Sequence, residues 1–251
     1  MEITSVNNET IKEVSKLQQK KYRDESNKFL IEGLKAIEEA FDADIEIEQL
    51  FVQKEKAFHY DFLEDKIVYV TEPVLKKLAT TDSAPDAVAV GVQKQYDIKL
   101  LKTAKRVALF ENIKDLGNLG TILRTATAFS LDAIILFGNT VDLYNPKCVR
   151  ASVGNLWKTP VFQIKDFNIL KSYFTDFTRI ATLPKSDDSV FLKDFLPQAK
   201  TLVMFGAEAD GLSTELINYA TDKVTIEMDS KVESLNLSMS AGIIFYKLFL
   251  L

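Results

Sequence analysis

The chain has 251 residues, 47% hydrophobic and 27% charged, an ordinary make-up for a globular protein with a sizeable core. A single cysteine, Cys148, and a single histidine, His59, exclude a disulfide framework, a cysteine-based zinc site and a multi-histidine metal centre, so no metal is expected. The net charge of −5 is not the usual footprint of a nucleic-acid binder. It is also unevenly spread, because residues 1–100 carry 14 Lys and Arg against 20 Asp and Glu, leaving 17 against 16 in the rest.

The N-terminus, MEITSVNNETIKEV, has no apolar run of the kind a secretory signal needs. The longest apolar stretch, Ala241 to Leu251, is broken by Lys247 and is far shorter than the roughly 20 residues of a membrane span. A cytoplasmic protein with no membrane partner is expected. Residues 9–21 have Ile11, Val14 and Leu17 at helical spacing, and residues 28–41 predict a second helix with Phe29, Ile37 and Phe41 inward. Lys12, Lys16, Lys20, Lys21, Arg23 and Lys28 form a basic cluster here. It is either the solvated face of a surface helix or a patch that contacts phosphates. Strands are predicted over Ile45–Val52, Lys66–Val70 and Ala87–Val92, with a short helix from Pro73 to Leu78. The polar stretch 94–104 reads as a boundary.

Beyond it the alternation is clearer. Strands are predicted at Arg106–Phe110, Ala133–Phe137, Thr201–Phe205 and Lys223–Ile226. Helices are predicted at Leu119–Phe129, Asp166–Tyr173, Thr214–Ala220 and Ser234–Leu250. Alternating strands and helices imply an α/β fold with a mainly parallel sheet, whose ligands bind beyond the carboxyl ends of the strands. Seven of the nine glycines fall between 117 and 242, which directs the search for chemistry to this half.

Three segments there combine glycine with polar side chains. In Glu111-Asn-Ile-Lys-Asp-Leu-Gly-Asn-Leu-Gly-Thr-Ile-Leu-Arg124, Asn118 can cap a helix that carries Arg124. Its spacing fits neither the dinucleotide nor the phosphate-loop fingerprint, which argues against a nucleotide-dependent oxidoreductase. In Leu202-Val-Met-Phe-Gly-Ala-Glu-Ala-Asp-Gly-Leu-Ser213, a strand runs into a turn that presents Glu208, with Ser213 placed to cap the next helix. The third, Ser234-Leu-Asn-Leu-Ser238, clusters polar groups at the mouth of a helix that is apolar almost all round. Each segment is also compatible with a purely structural turn or cap.

Taken in order, Asn118-Leu-Gly-Thr-Ile-Leu-Arg124, Gly206-Ala-Glu-Ala-Asp-Gly-Leu212 and Ser234-Leu-Asn-Leu-Ser238 resemble the three motifs of the SpoU/TrmH family, in the SPOUT superfamily of methyltransferases. Asn145-Pro-Lys-Cys-Val-Arg-Ala-Ser-Val-Gly154 resembles a further family segment, and Lys20-Lys-Tyr-Arg-Asp-Glu-Ser-Asn-Lys-Phe-Leu-Ile-Glu-Gly33 resembles the family's L30e-like substrate-binding domain. Two departures are Leu116, where proline is common, and Ser130, where glycine is common.

The resemblance implies an RNA substrate-binding domain over 1–97, a linker about 98–104 and a methyltransferase domain with a trefoil knot over 105–251. It implies transfer of methyl from S-adenosylmethionine to a ribose 2′-hydroxyl of structured RNA, rRNA ahead of tRNA, by a homodimer. Arg124, Asn118, Glu208 and Asn236 would be catalytic. Leu183, Phe205, Gly206, Glu208 and Gly211 would hold the cofactor, together with Ile226, Met228, Ser234, Leu235, Asn236 and Ser238. Lys20, Lys21, Arg23, Lys28, Arg124 and Arg150 would meet RNA. The competing readings are a catalytically silent RNA-binding protein of the same fold and a base methyltransferase.

Overall fold

The computed structural model describes residues 2–208, 210–229 and 231–249. Along the chain the elements begin β1 (Glu2–Ile3), α1 (Glu9–Lys16), α2 (Lys20–Ser26), β2 (Lys28–Glu32), α3 (Leu34–Asp42), β3 (Ile47–Val52), β4 (Ile67–Val70), α4 (Glu72–Leu78) and β5 (Ala87–Val92). They continue with β6 (Arg106–Glu111), α5 (Leu116–Ala128), β7 (Ala133–Phe137), α6 (Pro146–Ala151), β8 (Val161–Ile164) and α7 (Phe167–Tyr173). The last are β9 (Thr178–Thr182), β10 (Val190–Phe191), β11 (Thr201–Phe205), α8 (Thr214–Tyr219), β12 (Asp222–Thr225) and α9 (Leu237–Phe249). The chain forms two compact units, Met1–Gln95 with Asp142–Lys158, and Tyr96–Val141 with Thr159–Leu251.

The first unit has a mixed sheet in the order β1-β4-β3-β5-β2. Ile11, Val14 and Leu17 are buried as their spacing predicts, against Leu30, Phe51, Leu75 and Leu78. The helix expected over 9–21 is nevertheless two helices. Gln18 turns aside, and its Nε2 donates to the carbonyls of Lys77, Leu78 and Ala79 at 2.9, 3.0 and 3.1 Å, satisfying groups that α4 leaves open at its end. The helix expected over 28–41 is corrected further. Residues 28–32 form β2, antiparallel to β5, and Gly33 at φ +87° turns the chain into α3. A short apolar run reads equally well as strand or helix, and pairing with β5 decides it. Phe29 and Ile37 are buried, whereas Phe41 is 43% exposed.

Two expected RNA contacts also change. Arg23 is 1% exposed. Its guanidinium pairs with Asp142 and donates to the Leu17 carbonyl at 2.7 Å, so it ties residue 142 into this unit and is not open to a phosphate. Arg150 on α6 is committed to Glu32 at 2.9 Å and to the Thr80 hydroxyl. Tyr144 and Trp157 pack their rings on Phe29 at 4.7 and 6.0 Å. Thus 142–158 shares the core of residues 1–95. Cys148 is fully buried there, and burial pushes its thiol up to about 12, which makes it a poor nucleophile.

In the second unit all seven strands are parallel, in the order β10-β12-β9-β11-β6-β7-β8. This is the mainly parallel α/β sheet that the alternation predicts, with β8, β9 and β10 added to the strands read from sequence. From β6 the chain steps to β7 and β8 on one side. It returns through β9 and β11 on the other, so a switch point lies between β6 and β11. Phe110 of β6 stacks on Phe205 of β11 at 4.9 Å, and Phe245 of α9 meets Phe205 edge-on at 5.9 Å. α9 packs on α5, where a Cβ added at Gly242 would make an ordinary contact with Thr125 at 3.6 Å.

The stretch expected as an open linker contains a short helical turn, Ile98–Lys102, capped by Asp97 and anchored by buried Leu101. The last helix begins at Leu237, three residues later than expected, and Leu250 lies outside the described residues. Ser130 adopts φ +53°, the left-handed conformation that glycine takes most easily, so the departure from the family pattern costs backbone strain and no chemistry.

Removing Arg23 would leave Asp142 without its buried partner. Arg23→Ala is expected to lower the unfolding free energy by about 3–5 kcal/mol, read from the shift of the denaturant midpoint.

Candidate active site

The loops after β6, β9, β11 and β12 open at the same end of the parallel sheet, and two hollows form there. The first is a cavity of about 660 Å³, well within the size range of small-molecule sites. Leu183 follows β9 and enters it, as do Phe205, Gly206, Glu208 and Gly211 at the end of β11. Ile226 and Met228 follow β12, and Ser234, Leu235 and Asn236 precede α9. Ten of the eleven residues expected to hold the cofactor therefore line one cavity. Ser238 is the exception: it is largely buried and lines neither hollow. The walls are mostly apolar, and Pro184, Ile217 and Ile244 complete them.

The second hollow, also about 660 Å³, is polar and is lined by Lys114, Asp115, Asn118, Asp210, Glu208 and Asn236 with Ala207. Glu208, Asp210, Asn236 and Ala207 belong to both, so the hollows share a rim.

A directed chain of hydrogen bonds fixes that rim. Asn236 Oδ1 accepts from the Ser238 backbone N–H at 2.9 Å and from its hydroxyl at 2.6 Å, capping α9. With its oxygen so engaged, Asn236 presents Nδ2, which donates to Asn118 Oδ1 at 2.9 Å. Asn118 in turn can offer only Nδ2, which donates to Glu208 Oε1 at 3.0 Å. The order of donors makes Glu208 Oε1 the terminal acceptor of the row. Ser238 thus acts through Asn236.

The cap of α5 differs from expectation. Asp115, not Asn118, is the N-cap, accepting the Asn118 N–H at 2.7 Å. That frees the Asn118 side chain for the rim. Ser213 caps α8 as expected, and its own N–H donates to Glu111 Oε2 at 2.7 Å. Sequence reasoning missed Glu111, a buried carboxylate at the end of β6, although an acid closing a hydrophobic strand was a visible signal. The β11–α8 loop closes on itself through reciprocal Ala207 and Gly211 backbone bonds of 3.0 and 3.2 Å. It passes so close to Gly206 that an added Cβ would lie 2.0 Å from the Gly211 carbonyl carbon. Ala209 of this loop lies outside the described residues.

Arg124 is not brought into this arrangement. Six residues beyond Asn118, it is turned roughly 120° away around α5. It is exposed and lines neither hollow. In the first unit, Lys20 and Lys21 are exposed, and Lys28 pairs with Glu48 at 2.6 Å. Among the described residues no group of three or more His, Cys, Asp or Glu is placed to hold a metal ion. Nor is any helix among them long and apolar enough to cross a membrane.

The second unit is thus a parallel α/β unit whose apolar cavity shares a rim with a polar cleft. The chain belongs to the SpoU rRNA Methylase family, whose model matches residues 105–246, and residues 8–89 match the MRM3-like substrate binding domain. This bears out the resemblance carried by the three motifs. An uncharacterised tRNA/rRNA methyltransferase of Synechocystis is 31% identical over 98% of this chain and 92% of its own length. A 23S rRNA (guanosine(2553)-2′-O)-methyltransferase of Bacillus subtilis is 27% identical over 98% of both chains. The crystal structure of an AdoMet-bound rRNA methyltransferase from Sinorhizobium meliloti superposes with a TM-score of 0.87 at 28% identity, covering 98% of this chain and 96% of that one.

A methyl group at position 206 has no room beside Gly211. Gly206→Ala is expected to weaken S-adenosylmethionine binding by more than about tenfold in calorimetry, with the circular dichroism spectrum retained.

Proposed function

We propose that this protein transfers a methyl group from S-adenosylmethionine to a ribose 2′-hydroxyl of ribosomal RNA. The observation that carries the reading is the shared rim. Glu208, Asn118 and Asn236 stand in one hydrogen-bonded row where the apolar cavity meets the polar cleft. The names of the relatives favour rRNA as the substrate class.

The cavity fits the cofactor on size, on its apolar walls, and on Gly206, where the absence of a side chain lets the loop close. Leu183, Ile226 and Leu235 supply apolar surface for the adenine, and the Gly206–Gly211 loop supplies backbone groups. Bound there, S-adenosylmethionine supplies a sulfonium methyl to the incoming ribose oxygen. Asn118, itself held by Asn236, fixes the Glu208 carboxyl group through Oε1 and leaves Oε2 to accept from the ribose hydroxyl. Placing the ribose against a fixed row of groups supplies the orientation that a poor nucleophile requires. Arg124 is exposed and lies off the rim, so it serves as an electrostatic partner for the RNA and not as the base. Lys20 and Lys21, exposed on the first unit, are the residues there that would meet RNA.

The same reading includes a homodimer, the trefoil knot implied by the family, and a place in the cytoplasm. Support for the dimer comes from α9, where Met239, Ile243 and Tyr246 are 60, 39 and 61% exposed at helical spacing and form one apolar stripe. Ile243→Glu is expected to convert the dimer to a monomer in light scattering, and an unchanged mass would remove α9 from the interface.

The deciding experiment supplies labelled S-adenosylmethionine to total RNA that lacks this protein's own modification. The label is expected as a 2′-O-methyl nucleotide in rRNA, greatly reduced by Arg124→Ala. Label in tRNA would move the substrate, label on a base would change the reaction, and no transfer with the cofactor bound would favour a silent RNA-binding protein.

A further inference from the structure

The polar cleft has an electrostatic problem. Asp115, Glu208 and Asp210 line it, and an RNA phosphate approaching them meets three carboxylates. Among the described residues Lys114 is the one cation lining the cleft, and Arg124 lies outside it.

The chain positions Lys114 with care. β6 ends at Glu111, and Asn112 takes φ +52° so that the strand turns sharply before α5. The Asn112 side chain accepts the Asn139 N–H at 2.8 Å, while its own N–H donates to the Phe137 carbonyl at 2.9 Å. Val141 N–H donates to the Ile113 carbonyl at 2.9 Å. The loops after β6 and β7 are thereby latched. Gly138 is obligatory in that latch, at φ +79° and with Asn112 Oδ1 only 2.5 Å from where a Cβ would stand. Across it, Lys114 Nζ donates to the Asn139 carbonyl at 2.7 Å.

That bond holds the ammonium in place without neutralising it. An ammonium has three N–H donors, and a neutral carbonyl takes one, leaving two donors and the full charge for a ligand. Among the described residues Lys114 forms no ion pair, whereas the exposed Lys12, Lys21 and Lys35 of the first unit do.

We propose that Lys114 is the phosphate anchor of the substrate cleft, its ammonium binding the RNA phosphate that adjoins the target ribose. The proposal rests on the methyltransferase reading for the identity of the ribose, but the anchor itself is a binding function. It gives a polyanion a single point of entry to an acidic cleft, and so helps fix which ribose stands beside Glu208. Arg124 then meets a different part of the RNA.

The test compares the full-length protein with Lys114→Met, which keeps the stem and loses the charge, and with Lys114→Arg. The probe is unmodified 23S rRNA transcript, with binding measured across a salt series and methyl transfer measured at saturating cofactor. Lys114→Met is expected to raise KM for the transcript about tenfold, with kcat changed by less than about twofold and cofactor affinity unchanged. The slope of log affinity against log salt should flatten by about 0.7–1, one phosphate contact, and Lys114→Arg should restore most of both effects. An unchanged KM and salt slope in Lys114→Met would overturn the anchor, as would a collapse of kcat at constant KM or failure of the wild type to bind the transcript. If the wild type binds but transfers no methyl, and Lys114→Met still flattens the slope, the anchor stands and the methyltransferase reading falls.

Discussion

The side chain of Asn118 is the point on which the site turns. It accepts from Asn236, 118 residues away in sequence, and donates to Glu208, 90 residues away. An amide can do both at once because its oxygen and nitrogen carry opposite roles. With the Asn236 oxygen fully engaged by Ser238, the direction of every bond in the row follows. The start of α5, the loop after β11 and the start of α9 are thereby set in one arrangement.

The parallel sheet makes that possible. Because β6 and β11 are adjacent and point the same way, the loops that leave them meet beyond their carboxyl ends. The stacked Phe110 and Phe205 rings hold the two strands together beneath, and Glu111 ties the end of β6 to the start of α8. Gly206 permits the β11 loop to double back within contact distance of itself. The product is two hollows with a common edge. A group-transfer reaction needs that geometry, since most of what a site can offer a weak nucleophile is position. The first unit contributes differently. Its own arginines are spent on its fold, Arg23 on Asp142 and Arg150 on Glu32, while Lys20 and Lys21 stay exposed.

Much of the fold was legible from period and punctuation. Ala87–Val92, Ala133–Phe137 and Thr201–Phe205 fall where their apolar runs place them, because buried strands are short, continuous and bounded by polar turns. The 28–41 segment was misread because KFLIE suits either a helix or a strand, and only antiparallel pairing with β5 chose. Lys114 gave too little signal to single out, being one charged residue in a loop.

The sequence by itself determined the family, the parallel α/β half and most of the residues singled out that line the apolar cavity, since these depend on local spacing and on motifs of fixed order. The tertiary structure alone decided what each charged or amide side chain does. Asn118 passed its expected cap to Asp115 and became the centre of the rim, Arg23 left the surface for Asp142, and Lys114 was left as the cation in an acidic cleft. Backbone preferences are short-range and can be read along the chain. A polar side chain takes its role from partners about 90 to 120 residues distant, and only the folded sheet brings those together.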